Sequence, residues 1–335
     1  MSIAGAAAPM LETRCLTKRF VKHLDFAAKI VRRFGADIHE EIVQAVDSVD
    51  LVVGKGQVVG LVGESGCGKS TLGRMVAGIL EPSEGDILFR GSTILGARNS
   101  QTREAALKIQ MIFQDPFASL NPRMRVADIV GEAPLVHGII TRAEFADYVD
   151  DVLDRCGLDG SFKRRYPHQF SGGQRQRIGI ARALAVKPEF IVCDESVAAL
   201  DVSIQAQILN LFMELRESLE LTYLFISHDL GVVEHLSDRV VIMYLGRVVE
   251  STTTDALFEQ PNHPYTQALL REVPRLESRH SKFLPIKGEI PSPLDPPSGC
   301  HFHPRCPDAM PRCRAEAPVL KEIRPGWMSA CHLND

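Results

Sequence analysis

The stretch that decides the fold is GQVVGLVGESGCGKSTLGRMVAGIL, residues 56–80. Val58 to Val62 is a short apolar run of β-forming residues, and Thr71 to Leu80 has helical spacing. Between them, Gly63 to Ser70 reads G-x-x-x-x-G-K-S, a turn that carries a strand into a helix. Each residue type has a physical task there. Gly63, Gly66 and Gly68 let the backbone bend around phosphate oxygens, Lys69 reaches the terminal phosphates, and the Ser70 hydroxyl suits Mg2+. Gly63, Glu64, Ser65, Gly66, Cys67, Gly68, Lys69, Ser70 and Thr71 together form a candidate nucleotide cradle. Cys67 adds a thiol that alkylating agents would be expected to attack when the cradle is empty.

Working outward, the first 260 residues alternate short apolar runs with longer periodic stretches, as an α/β domain with a mainly parallel sheet does. In PEFIVCDESVAALD, Phe190 to Cys193 is a buried-strand candidate. Asp194 and Glu195 emerge at its carboxyl end, where open α/β sheets place ligands. Asp194 suits Mg2+, and Glu195 suits the polarisation of an attacking water. TYLFISHDL repeats the layout, with Tyr223 to Ile226 leading to His228; Met111 to Phe113 leads to Gln114, whose amide can reach metal or water. A second helix start, FSGGQRQRIGIARAL from Phe170 to Leu184, has the look of a phosphate site of its own. A chain with one phosphate loop has no internal need of another.

Bulk composition narrows the classes. The chain has 335 residues, 45% hydrophobic and 24% charged, with a formal charge of −4, which gives no reason to expect a nucleic-acid binder. No apolar run reaches the roughly 18 to 20 residues of a membrane span. MSIAGAAAPM, residues 1–10, has no basic residue ahead of its apolar stretch and does not read as a secretory signal. The eight cysteines are therefore expected as thiols or metal ligands. Thirteen of the 20 prolines fall between Pro261 and Pro325, marking a boundary near residue 260.

The phosphate loop, Gln114, SGGQ at 171–174, Asp194 with Glu195, Asp201 and His228 occur in an order and spacing that resemble the ATP-binding-cassette ATPases. The resemblance implies a RecA-like P-loop ATPase core with an antiparallel β subdomain and an α-helical subdomain at about 115–183, all within residues 1–260. It implies ATP and Mg2+ as cofactors, with Ser70, Gln114 and Asp194 around the Mg2+ and Glu195, His228 and Gln114 as the hydrolytic set. In that family the segment Ser171, Gly172, Gly173, Gln174 caps the nucleotide of a second cassette, which would explain the second helix start. Asp201 lies in the same family pattern, and Phe20 stands where cassettes place an aromatic against adenine.

FQDPFASLNPRM at 113–124, YPHQFSGGQRQR at 166–177, HPYTQALL at 263–270 and GCHFHPRCP at 299–307 resemble the ATPase subunits of bacterial dipeptide and oligopeptide importers. That resemblance implies a second, related ATPase subunit as partner in a homo- or heterodimer, two transmembrane permease subunits, a periplasmic binding protein acting indirectly, and a peripheral place on the cytoplasmic face of the inner membrane. DESVAALD departs from the family, which usually has Pro in place of Ser196 and Ser in place of Ala198. A soluble cassette acting on DNA or ribosomes is the alternative, but it normally adds coiled coils, a second cassette or a basic arm.

Residues 261–335 form an irregular Pro- and Cys-rich extension. Cys300, Cys306, Cys313 and Cys331 crowd into its end with intervals of five, six and seventeen residues, unlike paired C-x-x-C zinc ribbons. Thiolates hold zinc or iron–sulfur, and the importer resemblance implies a 4Fe-4S cluster. His301, His303 and His332 are the reserve ligands. Finally, Lys18 to Arg33 carries six Lys or Arg with apolar residues at Phe20, Leu24, Ala27, Val31 and Phe34, a helical spacing expected to form a solvated amphipathic element.

Overall fold

The computed structural model describes residues 8–22, 41–96, 100–198, 200–272, 286 and 288–335. Two sheets organise them. The larger has eight strands in the order β11 (Lys321–Arg324), β12 (Trp327–Ser329), β10 (Arg247–Thr253), β9 (Arg239–Tyr244), β3 (Val58–Val62), β8 (Thr222–Ile226), β7 (Phe190–Asp194) and β6 (Ile109–Ile112), and the smaller has four in the order β2 (Glu41–Val53), β1 (Leu11–Lys22), β4 (Glu84–Phe89) and β5 (Ser92–Thr93).

In the large sheet, β3 (Val58–Val62), β6 (Ile109–Ile112), β7 (Phe190–Asp194), β8 (Thr222–Ile226) and β9 (Arg239–Tyr244) run parallel. Every residue of β3, β7 and β8 is buried. This is why these strands read as unbroken apolar runs: helices cover both faces, so no alternation survives. Because the five strands point the same way, the residues following β3, β6, β7 and β8 arrive at one edge of the sheet. β10 (Arg247–Thr253) turns back antiparallel, and β12 (Trp327–Ser329) and β11 (Lys321–Arg324) extend that edge.

The small antiparallel sheet holds β1 (Leu11–Lys22), β2 (Glu41–Val53), β4 (Glu84–Phe89) and β5 (Ser92–Thr93). The helix expected over Lys18 to Arg33 is overturned for its first part: Lys18 to Lys22 lie in β1. Pairing to Gln44, Val43, Ile42 and Glu41 supplies the cross-strand hydrogen bonds that outweigh the helical spacing of the apolar residues. Residues 23–40, with Leu24, Ala27, Val31 and Phe34, lie outside the described residues, as does Ala199.

Between Gln114 and β7 the chain is helical. Pro116–Ser119, Val126–Val136, Phe145–Arg155 and Gly172–Leu184 are helices joined by short 3-10 turns. They share one apolar core with the sheet and with the helix Val202–Leu219, through Val130, Val149, Leu153, Ile178 and Ile180 together with Ile191 and Phe225 of the strands and Phe212 of that helix. The helix Phe145–Arg155 is amphipathic, with Val149, Val152 and Leu153 as its buried stripe.

The helix after the phosphate loop is shorter than its apolar pattern. It spans Lys69–Val76 rather than continuing to Leu80. Gly78 adopts φ 68°, and the N–H groups of Ile79 and Leu80 both turn back to the Arg74 carbonyl. A glycine in this left-handed conformation ends the helix while its last carbonyls find partners.

The C-terminal extension is mostly irregular, with short helices at Pro264–Arg271 and Pro311–Ala315 besides β11 and β12. It is nevertheless packed into the domain. Phe302, 1% exposed, and Tyr265, fully buried, share a core with Val62, Ile242 and Tyr244. Glu250 of β10, fully buried, accepts hydrogen bonds from the Trp327 indole at 2.8 Å and from the backbone of Asn262 and His263 at 2.9 Å each. Leaving this carboxylate unpaired would cost several kcal/mol, so its three donors tie the extension to the sheet.

Candidate nucleotide site

The site is assembled at the carboxyl edge of the parallel strands. After β3 the backbone wraps through residues 63–68, and Gly68 takes φ 104° as the N-cap of the next helix. A Cβ at Gly68 would lie 2.0 Å from the Ala45 carbonyl oxygen, so no other residue fits there. Lys69 is 4% exposed, and its Nζ donates to the carbonyls of Gly63 at 2.7 Å and Glu64 at 2.9 Å. These bonds hold the ammonium across the mouth of the turn, in a position to exchange carbonyl oxygens for phosphate oxygens.

The Ser70 hydroxyl donates to Asp194 at 2.7 Å, joining the start of one helix to the end of β7. Asp194 is 3% exposed, and burial pushes its carboxyl above the usual range, with the Ser70 hydrogen bond opposing. A divalent cation would favour the ionised form that burial disfavours. Hydroxyl and carboxylate therefore meet as an oxygen pair of the kind that Mg2+ prefers.

Beside them, Glu195 Oε2 accepts from Gln114 Nε2 at 2.9 Å and stands 3.4 Å from His228 Nδ1. Glu195 has φ 46°, unusual for a residue with a side chain; its N–H donates to Ile226 and its carbonyl accepts from Ala198. These two backbone bonds hold a conformation that costs of the order of 1 kcal/mol. The carboxylate is thereby fixed between two side chains that follow β6 and β8 in the chain. The structure thus brings together Lys69, Ser70, Gln114, Asp194, Glu195 and His228 from separate parts of the sequence.

Other predicted residues stand apart from this group. Ser171 caps the helix Gly172–Leu184: its Oγ accepts from the Gln174 N–H, and Gln174 Oε1 accepts from the Ser171 N–H at 3.1 Å. This reciprocal box leaves Ser171 exposed, with its hydroxyl proton unspent among the described residues. Gly173 lies against Ile204, where a Cβ would come within 2.5 Å of the isoleucine side chain. Asp201 is the exposed N-cap of the helix Val202–Leu219. Phe20 is 43% exposed on β1, opposite Val43, with Lys18 Nζ 5.4 Å from its ring centre.

Cys67 corrects an expectation. It is 4% exposed inside the turn, and burial raises its thiol pKa. A buried, protonated thiol is a poor target for alkylation, since the thiolate is the reactive form.

Sequence reasoning missed three residues of this neighbourhood: Tyr244, Tyr265 and Arg305. The Tyr265 hydroxyl accepts the Glu64 N–H at 2.9 Å. Arg305 grips both Glu64 carboxylate oxygens, at 2.6 and 2.9 Å, and its NH1 also reaches the Tyr244 hydroxyl at 3.4 Å. The available signal was the lone Arg inside GCHFHPRCP, but nothing local says that its partner lies 241 positions earlier.

In the tail, Cys313 is buried and Cys300, Cys306 and Cys331 are partly exposed. Burial raises the pKa of Cys300 and of Cys331, and pushes Cys306 up to about 11; in each case other thiols of the group add to the rise. Cys300 and Cys313 are also joined through the backbone, the Cys300 N–H donating to the Cys313 carbonyl at 2.8 Å. In donor chemistry the four thiols suit zinc or an iron–sulfur cluster. In arrangement they do not: among the described residues, no three His, Cys, Asp or Glu side chains are disposed to hold a metal ion. The reserve ligands are otherwise engaged, His301 against the Leu245 carbonyl, His303 against that of Cys300 and His332 against that of Glu316. Among the described residues no helix is long and apolar enough to cross a membrane.

A strand–turn–helix phosphate loop with acidic, amide and imidazole groups at neighbouring strand ends defines a P-loop nucleotide hydrolase. Comparison with known proteins narrows the class. Residues 46–198 match the family model described as ABC transporter, and residues 249–313 match the oligopeptide/dipeptide transporter C-terminal region. The chain is 54% identical over 295 residues to the oligopeptide transport ATP-binding protein AppF of Bacillus subtilis, covering 87% of this chain and 90% of that protein. It is 48% identical over 293 residues to a probable peptide ABC transporter ATP-binding protein of Sinorhizobium fredii, covering 87% and 83%. Among solved structures, a dimeric post-hydrolysis state of the ATP-binding cassette MJ0796 bound to ADP and Pi superposes with a TM-score of 0.62 at 27% identity, covering 73% of this chain and 99% of that one. The cbiO1 cassette of Clostridium perfringens gives 0.61 at 27% identity, covering 76% and 92%. The chain belongs to the ATP-binding-cassette ATPases, in the branch that serves oligopeptide and dipeptide transport. It is an ATPase subunit that energises an importer, and the nucleic-acid alternative finds no support in these likenesses.

Proposed function

We propose that residues 63–71 hold the triphosphate of ATP, that Ser70 and Asp194 with Gln114 surround Mg2+, and that Glu195, oriented by Gln114 and His228, directs water at the γ-phosphate. The observation that carries this reading is the meeting of Ser70 with Asp194, and of Gln114 and His228 with Glu195, at one sheet edge. Mg2+, when bound, neutralises charge on the β- and γ-phosphates. Lys69 donates to their oxygens, Glu195 accepts a proton from water, and His228 and Gln114 keep that carboxylate in place.

Ser171, Gly172, Gly173 and Gln174 then serve the ATP of a partner cassette. What supports this is the exposure of Ser171 at a helix start, together with dimeric cassettes among the structural neighbours. Charge-assisted contacts to phosphate form only in the closed pair, so ATP favours closure and hydrolysis releases it. Asp201 belongs to the same face, and Phe20 offers its open ring to adenine.

The cargo is a peptide or a related solute, the membrane partners are two permease subunits fed by a periplasmic binding protein, and the chain sits peripherally on the cytoplasmic side of the membrane. The relatives' peptide-transport descriptions support this. ATPase assays with the membrane subunits encoded beside this chain, plus the binding protein loaded or empty, test it: peptide-dependent stimulation is expected, and failure of the chain to co-purify with those subunits ends the importer reading.

For the tail, the finer reading is that Cys300, Cys306, Cys313 and Cys331 become thiolate ligands of a 4Fe-4S cluster, with the local rearrangement that their present disposition requires. The crowding of these cysteines at the end of the chain, with the Cys300 N–H donating to the Cys313 carbonyl at 2.8 Å, is its support. Anaerobically purified protein without iron or labile sulfide would eliminate it.

A further inference from the structure

We infer that Arg305 of the Cys-rich tail is a positioning residue for the phosphate loop, acting through Glu64. The inference rests on reading residues 63–71 as the triphosphate cradle, but concerns a part of the chain that this reading does not use.

Glu64 is the second residue of the loop, so its carboxylate stands close to the place where a triphosphate must sit. A free carboxylate there would repel that anion or compete for Lys69. The structure turns it away. Arg305 engages both carboxylate oxygens, in the two-pronged geometry that guanidinium favours. The Arg305 side chain is 4% exposed and that of Glu64 18% exposed, so the pair is shielded from solvent screening in a way that surface ion pairs are not. Hydrogen bonding to Glu64 raises the guanidinium pKa further above its usual value.

The backbone of Glu64 is held at both ends as well. Its N–H is taken by the Tyr265 hydroxyl, and its carbonyl accepts from Lys69 Nζ. Side chain, N–H and carbonyl of one residue are therefore fixed, two of them by groups beyond residue 260. Lys69 rests on a carbonyl whose position the tail controls.

The tail reaches the loop because Phe302 is anchored first. Its ring packs 5.3 Å from Tyr244 and 5.3 Å from Tyr265, centre to centre. Successive turns, Arg305 N–H to Phe302 and Cys306 N–H to His303, then set Arg305 three residues on. Arg305 Nε is buried with no hydrogen-bond partner among the described residues. A side chain that leaves one donor unsatisfied while committing its terminal nitrogens to Glu64 and Tyr244 is placed for that contact rather than for general packing.

The test separates positioning from mere support. In the full chain, Arg305→Ala is expected to raise the Kd of a fluorescent ATP analogue, and the KM for ATP, about tenfold, with kcat changed less than about threefold. Arg305→Lys, which keeps the charge but not the fork, is expected at roughly threefold. Combining Glu64→Gln with Arg305→Met removes both charges and is expected to bind ATP at least about threefold more tightly than Arg305→Ala, a partial rescue that loss of tail packing would not give. An Arg305→Ala chain with unchanged Kd overturns the inference, as does a folded double variant as weak as the single one. Should Arg305→Ala fail to fold, the Lys and double variants decide by the same Kd values. Lys69→Ala serves as the control. If it still binds ATP, the cradle reading fails; if it loses ATP while Arg305→Ala binds normally, only the present inference fails.

Discussion

The turn at 63–70 and the helix tip at 171–174 are both glycine-bearing helix starts, and they treat their orphan amides in opposite ways. The first is capped by Gly68 with no side-chain hydrogen bond, and is enclosed by β2 and the tail. The second caps itself through Ser171 and Gln174 and faces outward. A self-capped tip is stable without a ligand, whereas a side-chain-free cap reserves its N–H groups for an anion. One start is therefore enclosed by neighbouring chain, and the other is exposed at its cap. The unspent Ser171 hydroxyl proton is what the tip can offer without unmaking its own cap.

The largest test of that contrast lies in the pocket's chemistry. Glu195→Gln is expected to lower the rate of phosphate release by about 10³-fold while ATP binding persists, and to trap an ATP-bound dimer when a competent partner is supplied. Light scattering that shows only monomers under those conditions would break the two-sided arrangement. Ser171→Ala sharpens the contrast from the other side. Partner-dependent ATPase activity is expected to fall about tenfold, with the isolated chain's nucleotide affinity unchanged and about 1 kcal/mol of helix-cap stability lost.

Asp194 gives a smaller, pH-dependent effect. Burial raises its folded pKa, so the folded chain holds a proton there more readily than the unfolded one, and ionisation at neutral pH costs stability. Asp194→Asn is expected to raise the melting temperature of nucleotide-free protein by a few degrees near neutral pH. That advantage should shrink as pH falls and Asp194 takes up its proton; an advantage that grows towards acid would contradict the assignment. The smallest effect concerns the thiols. Exposed Cys15 is expected to react with a maleimide well before buried Cys67. Mass spectrometry of the labelled peptides would detect the reverse order.

Much of the site was legible in the chain's own pattern. β3, β7 and β8 announce themselves as short apolar runs because they are buried on both faces, and the polar residues that end them stand out for the same reason. Lys69, Ser70, Asp194, Glu195, Gln114 and His228 could therefore be named without coordinates. Local pattern failed where a partner distant in sequence decided the outcome. Lys18 to Lys22 carry a helical spacing, yet the edge of β2 makes them a strand. Thr71 to Leu80 keep their apolar rhythm past the point where Gly78 ends the helix.

The amino-acid sequence by itself determined the phosphate turn and the polar residues that end the buried strands, because these depend on residue types and on spacing along the chain. Only the tertiary structure decided that Cys67 is sealed, that Ser171 caps its own helix, and that Arg305 reaches Glu64 across 241 positions. Burial and long-range charge pairing are properties of distances in space, and a linear order of residues does not carry them.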